Sequence, residues 1–146
     1  MNAIATIRPA LPTDADLVVA LVRDAGLAVP GVVEHLSSFL IAERGGQPIG
    51  AIGLELRGDS ALLRSAVVSP AERGAGVGGS LFEAVLDLAR REGVQTLYLL
   101  TMDAEGYWAR HGFARVPRDR VPDAVKRSDE FVSACPASAT AMRRVV

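Results

Sequence analysis

The run Arg73-Gly74-Ala75-Gly76-Val77-Gly78-Gly79-Ser80 constrains this chain more than any other segment. It lies between an apolar run, Ala61 to Val68, and a stretch in which Leu81, Val85 and Leu88 recur at helical spacing. A strand, a glycine turn and a helix in that order form a specific physical object. Successive glycines let backbone amides approach an anion with no Cβ in the way. The helix start adds unpaired N–H groups and the positive end of its dipole. The turn is therefore expected to cradle a pyrophosphate, with Arg73 adding a charge-assisted contact.

What surrounds the turn narrows the ligand. A nucleoside triphosphate loop needs a lysine before the hydroxyl residue, and here Gly79 runs straight into Ser80. Gly74-x-Gly76-x-x-Gly79 matches a dinucleotide fingerprint, but in that fold the strand enters the first glycine almost directly. Here Ser69 to Arg73, with Pro70, intervene, and several strands come earlier. A nucleotide-binding oxidoreductase remains a reading that would require NAD(P) binding.

Charge and composition exclude other classes. With 146 residues the chain fits one domain, 1–146. A formal net charge of -1 supplies no basic field for nucleic acid or an anionic membrane. No apolar stretch approaches the roughly 20 residues that span a bilayer, and the N-terminus reads as a strand rather than a signal peptide. Cys135 is the only cysteine, so no internal disulfide can form, which suits a reducing, cytoplasmic compartment. Cys135 itself reads as a small buried apolar residue, with no marked activating base nearby. His35 and His111 are too few and too far apart in sequence to suggest a metal site, and no metal is expected. His111 fits a helix end next to Gly112.

The element order follows from periodicity and breakers. Ala5 to Arg8 reads as a strand, and Thr13 or Asp14 can cap a helix carrying Leu17, Ala20 and Leu21 that ends near Gly26. Val32 to Leu36 fits a second short helix after Pro30-Gly31. Strands are expected over Phe39 to Glu43, Ile49 to Arg57 and Ala61 to Val68, with turns at Gly45-Gly46 and Gly58-Asp59. After the long helix, Gly93 stops it, Thr96 to Leu100 is a buried strand, Glu105 to His111 a short helix, and Phe113 to Val116 and Thr140 to Val145 the last strands.

A strand, then Ser-Pro-x-x-Arg-Gly-x-Gly-x-Gly, an amphipathic helix, a strand and a short helix ending in Gly112-Phe113 resembles the GNAT superfamily of N-acetyltransferases over nearly the whole chain. Arg73, Gly76 and Gly78 match its (Gln/Arg)-x-x-Gly-x-(Gly/Ala) motif, and Tyr107-Trp108-Ala109-Arg110-His111-Gly112-Phe113 resembles its second block. The resemblance implies an α+β fold: a mixed, mostly antiparallel six- to seven-stranded sheet with helices on both faces. It implies acetyl-CoA as cosubstrate, with the amides from Ala75 through Gly76, Val77, Gly78 and Gly79 to Ser80 on the pyrophosphate. The backbone of Ala66, Val67 and Val68 would hold the pantetheine arm, admitted where the fourth and fifth strands splay. Leu62 to Ser65, Leu97 to Thr101 and Phe131 to Ala139 look like a narrower group, the short acetyltransferases named for arsenic resistance.

Acetyl transfer needs a neutral amine, a route for its proton and a proton for the departing thiolate. Glu55 is the first candidate base. A two-residue turn at Gly58-Asp59 pairs Arg57 with Ser60 and Glu55 with Leu62, so Glu55 and Arg64 share a sheet face as diagonal neighbours. Together they suit a substrate with both an amine and an acid, or else form a plain ion pair on a solvated face. The superfamily's acid, a tyrosine five residues before the phenylalanine of Gly-Phe, is replaced here by Trp108, whose indole N–H is too weak an acid to donate a useful proton. Tyr107 is adjacent but points roughly 100° away on a helix. It stands as a candidate acid or as a residue packed on core or cofactor, with water or the substrate ammonium as other proton sources. The expected function is N-acetylation of a small-molecule amine, such as an amino acid or analogue. A non-catalytic acyl-CoA-binding module is the alternative, and a homodimer is left open.

Overall fold

Alternating apolar residues and glycine-led turns fold the first half of the chain into a meander. The structure, a computed structural model, describes residues 5–133 and 138–146, so Cys135 lies outside the described residues. β1 (Thr6–Pro9) pairs antiparallel with β2 (Phe39–Arg44). β2 turns through Gly45-Gly46 into β3 (Gln47–Arg57), and β3 turns through Gly58-Asp59 into β4 (Ser60–Val68). Arg57 lies opposite Ser60 and Glu55 opposite Leu62, the register expected of the two-residue turn. Between β1 and β2 comes α1 (Ala15–Asp24), closed by Gly26 at φ +74°. Asp14 stands at the head of α1 without capping it. Its carboxylate instead accepts the Leu11 N–H and the fork of Arg8 at 2.8 and 3.0 Å.

The second half alternates helix and strand. α2 (Val77–Arg91) leads to β5 (Thr96–Thr101), α3 (Glu105–Arg110), β6 (Ala114–Arg115), α4 (Asp123–Lys126), α5 (Asp129–Ser133) and β7 (Thr140–Val145). The seven strands form one sheet in the order β1-β2-β3-β4-β5-β7-β6, and only β4 and β5 run parallel. The expected α+β fold is therefore met.

Helices cover both faces. Leu81, Phe82, Val85 and Ala89 of α2 bury against Leu40, Ile52, Leu54 and Leu63 on one face. Each large apolar side chain so buried contributes roughly 1.5–3 kcal/mol. On the other face Val18 and Val22 of α1 pack on Phe39, Ile41 and Val67, and Val125 of α4 packs on Leu62 and Tyr98.

Two segments differ from the sequence reading. The expected helix over Val32 to Leu36 is a series of isolated turns, with a 3-10 turn at Leu36–Ser38. Five residues after Gly31 (φ +91°) are too few to repay helix nucleation, and single turns already bury Val32 and Leu36. Conversely α4 and α5 arise where no element was expected. Their signals are short: Pro122 precedes the first turn of α4, and the Ser128 hydroxyl accepts the Phe131 N–H at 3.3 Å.

Candidate active site

A bulge and a fork place the site. Ala51 opposes Val67 and Gly53 opposes Arg64, so Ser65 and Ala66 together face Ile52. Ser65 takes a left-handed φ of +58° to absorb the extra residue. The bulge flips the parity of β4. Before it Leu63 faces α2; beyond it Ala66 and Val68 face α2 and Val67 faces α1. Meanwhile β4 and β5 pair only from Ser60 to Leu62 with Thr96 to Tyr98. Beyond those residues a cleft of about 670 Å³ opens between Leu63–Val68 on one side and Leu99–Ala104 on the other. This is the expected splaying of the fourth and fifth strands.

The glycine turn forms the outer end of the cleft. Arg73, Gly74 and Gly76 to Gly79 line it, whereas Ala75 and Ser80 fall just outside the lining. Gly74 and Gly76 hold φ of +86° and +81°, conformations that bend the chain into the start of α2. α2 has no side-chain cap; its first internal bond runs from the Ser80 N–H to the Gly76 carbonyl at 3.1 Å. The N–H groups of Val77, Gly78 and Gly79, one turn below, are left for an anion. Arg73 folds back, its Nε donating to the Val68 carbonyl at 3.3 Å. The residues present fit a pyrophosphate with a long thin arm: donors at the turn, and an open apolar slot beside Ala66, Val67 and Val68.

Tyr107 and Trp108 part ways as the helix geometry demands. Trp108 is 8% exposed and packs edge-on against Tyr107 (4.9 Å between ring centres) and Phe113 (5.7 Å). Tyr107 turns its hydroxyl toward the turn: a Cβ built on Gly78 would sit 3.1 Å from it. Burial raises the Tyr107 pKa, only partly offset by Arg110, so its phenol keeps its proton.

At the inner end a cluster of charged residues meets around Glu55. The Glu55 carboxylate is wholly buried and accepts from Arg64 Nη1 (2.8 Å), Arg57 Nη2 (3.2 Å) and the N–H groups of Asp129 (3.0 Å) and Glu130 (3.4 Å). Burial alone would raise its pKa, but the Asp129 amide and Arg64 hold it below the usual carboxylate range. Arg64 lines the cleft, and Glu55 stands behind it, off the lining. The other Arg64 groups are also engaged, Nη2 with the Ala28 carbonyl (2.8 Å) and Nε with Ser65 Oγ (3.1 Å). The pair is thus neither on a solvated face nor open for substrate. His35 joins it, with Nε2 at 3.2 Å from Glu55 and 3.3 Å from Asp129, a grouping its sequence separation concealed. The sequence reading missed Glu130, whose side chain reaches the cleft from α5.

Residues 14–113 match the Acetyltransferase (GNAT) family, and the chain belongs to it. Relatives share its sequence at a distance. The uncharacterized N-acetyltransferase CT2212 of Chlorobaculum tepidum is 28% identical over 101 residues, 68% of this chain and 64% of its own. An amino-acid acetyltransferase of Neisseria meningitidis serogroup A is 27% identical over 139 residues, 88% of this chain but 31% of its own. Among solved structures, N-acetylglutamate synthase from Neisseria gonorrhoeae, complexed with coenzyme A and N-acetyl-glutamate, superposes with a TM-score of 0.84 at 25% identity. That match covers 99% of this chain and 36% of the synthase. The chain thus spans under two thirds of each of these relatives. No helix among the described residues is long and apolar enough to cross a membrane.

Proposed function

We propose that this protein is an acetyl-CoA-dependent N-acetyltransferase whose acceptor is the primary amine of a small molecule, an amino acid or an analogue of one. The observation that carries this reading is the glycine turn opening directly into the fork between β4 and β5. A pyrophosphate held at Val77 to Gly79 would direct its arm along Ala66, Val67 and Val68 toward Ser65 and Arg64. Acetyl-CoA supplies the thioester. The β5-facing edge of β4, unpaired beyond Leu62, offers backbone donors where carbonyl charge would grow. Tyr107, held neutral, is the proton donor to the departing sulfur, which gives the tyrosine beside Trp108 the acid's role from a different helical position. Glu55 and Arg64 act as positioning residues, tying β3 and β4 to the start of α5.

The acceptor class rests on the amino-acid acetyltransferase among the relatives. Because Leu62 to Ser65, Leu97 to Thr101 and Phe131 to Ala139 resemble the short acetyltransferases named for arsenic resistance, arsenical and phosphinic amino-acid analogues join the acceptors to be tested. The near-neutral chain with one cysteine suits the cytoplasm. Thiol release from acetyl-CoA, measured over amino acids, polyamines and these analogues, tests the proposal. Turnover with at least one amine is expected. Saturable acetyl-CoA binding with no thiol release from any of them would instead make this a non-catalytic acyl-CoA-binding module.

A further inference from the structure

Among the described residues that line the cleft, Glu130 alone carries a buried side-chain oxygen with no hydrogen-bond partner. Leaving a carboxylate oxygen in that state is costly, so its position calls for a ligand. The cause is traceable. Arg64 is the nearest cation, but its Nη1, Nη2 and Nε already serve Glu55, Ala28 and Ser65. Glu130 Oε2 is left 3.7 Å from Arg64 Nε, beyond a hydrogen bond. Its backbone is pinned independently, because the N–H groups of Asp129 and Glu130 both donate to Glu55. The side chain is therefore held at the cleft wall, 14% exposed, by contacts that leave its own oxygen empty.

The charges around it identify what fits. Arg64 faces it from β4 and is matched by Glu55 from β3 through Oε2; Arg57 and His35 meet the other Glu55 oxygen, Oε1, and the Asp129 carboxylate lies beside His35. The other charged lining residues lie toward the turn or the β5 side: Glu72 is paired with Arg44 at 3.2 Å, Arg73 is folded onto Val68, and Asp103 follows β5. The inner end thus has one acid in excess and room for one cation.

Building on the N-acetyltransferase reading, we propose that Glu130 receives the acceptor as an ammonium ion and takes its proton before attack. The Glu130 carboxylate removes one proton from R–NH3⁺, giving R–NH2 and a neutral carboxylic acid. The amine nitrogen then forms the C–N bond to the acyl carbon as the C–S bond breaks. Tyr107 gives its proton to the thiolate, the proton shed by the nitrogen on becoming an amide passes to water and restores the Tyr107 phenol, and Glu130 returns its own proton to solvent. Burial suits this task, pushing the Glu130 pKa up to about 7, with Arg64 drawing it down and Glu55 raising it. Two carboxylates on one guanidinium divide the work: Glu55 stays ionised and Glu130 exchanges protons near neutrality.

The test is the pH dependence of kcat/KM for thiol release, using the amine that the wild type turns over fastest. The wild type should show an acidic limb near pH 7. Glu130→Gln should lose that limb and about a hundredfold or more in kcat, with acetyl-CoA affinity and melting temperature unchanged. Glu130→Asp, which keeps the carboxylate, should retain the limb and part of the rate. A Glu130→Gln enzyme with the wild-type limb and rate would overturn the assignment of Glu130 alone. So would a loss of rate matched by lost acetyl-CoA affinity or stability in both variants. A wild type that releases thiol with no amine would overturn the transferase reading and this assignment together.

Discussion

Arg64 Nη1 and Glu55 Oε2 meet at 2.8 Å with both side chains wholly buried, and the same carboxylate holds the first amides of α5. Breaking such a pair strands a charge in the interior. Glu55→Gln should destabilise the fold by about 3–5 kcal/mol in urea titrations at neutral pH. The Glu55 pKa is depressed, so its contribution is full above the ordinary glutamate value near 4.3 and is lost as pH falls toward the lower folded value. The gap between wild type and Glu55→Gln should therefore narrow on acidification. A gap that stays constant down to pH 3 would assign the stabilisation to packing.

The same pair sets the proton affinity of Glu130. With Glu55 neutralised, Arg64 turns its charge to Glu130, so the acidic limb of turnover should move to lower pH in Glu55→Gln. Arg64→Met removes the cation that faces Glu130 and should move the limb upward. Opposite shifts in the two pH profiles are the expected result, and shifts of the same sign would show that the three groups are not coupled as described.

Much of this arrangement is legible in the chain because turns fix register. Gly58-Asp59 between two apolar runs sets Glu55 opposite Leu62, and period-2 alternation then puts Glu55 and Arg64 on one face. The glycine turn is equally local: its donors are its own backbone. What alternation does not reveal is depth. The face with Glu55 and Arg64 reads as exposed until α5 covers it, and α5 spans Asp129–Ser133, too short for a helical period to register. Glu130 is invisible for the same reason. Its function arises from a contact between residues 64 and 130, with only the cap at Ser128 to mark the helix that delivers it. The bulge at Ser65 is also hidden, since it depends on a register count across two strands.

The neighbours Tyr107 and Trp108 should separate cleanly by substitution. Trp108→Phe leaves a void among Phe82, Tyr107 and Phe113 and should cost about 1–3 kcal/mol of stability, with turnover within a few-fold of wild type. Tyr107→Phe keeps the ring and removes the proton, and should lower kcat by about a hundredfold, with acetyl-CoA affinity nearly unchanged. The reverse pattern, an inactive but stable Trp108→Phe, would return the acid's role to position 108 and contradict its burial as packing.

The glycine turn carries the account, and Gly76→Asp tests it with the least damage to the fold. A Cβ at Gly76 meets nothing within 4 Å, and aspartate tolerates the left-handed φ of +81° better than most residues. The substitution sets a carboxylate at the mouth of the N–H groups of Val77 to Gly79, where the pyrophosphate is expected. Calorimetric titration of acetyl-CoA should give saturable binding to the wild type and none to a Gly76→Asp protein that melts at nearly the same temperature. Equal affinity in the folded variant would contradict the assignment of this turn as the acetyl-CoA site.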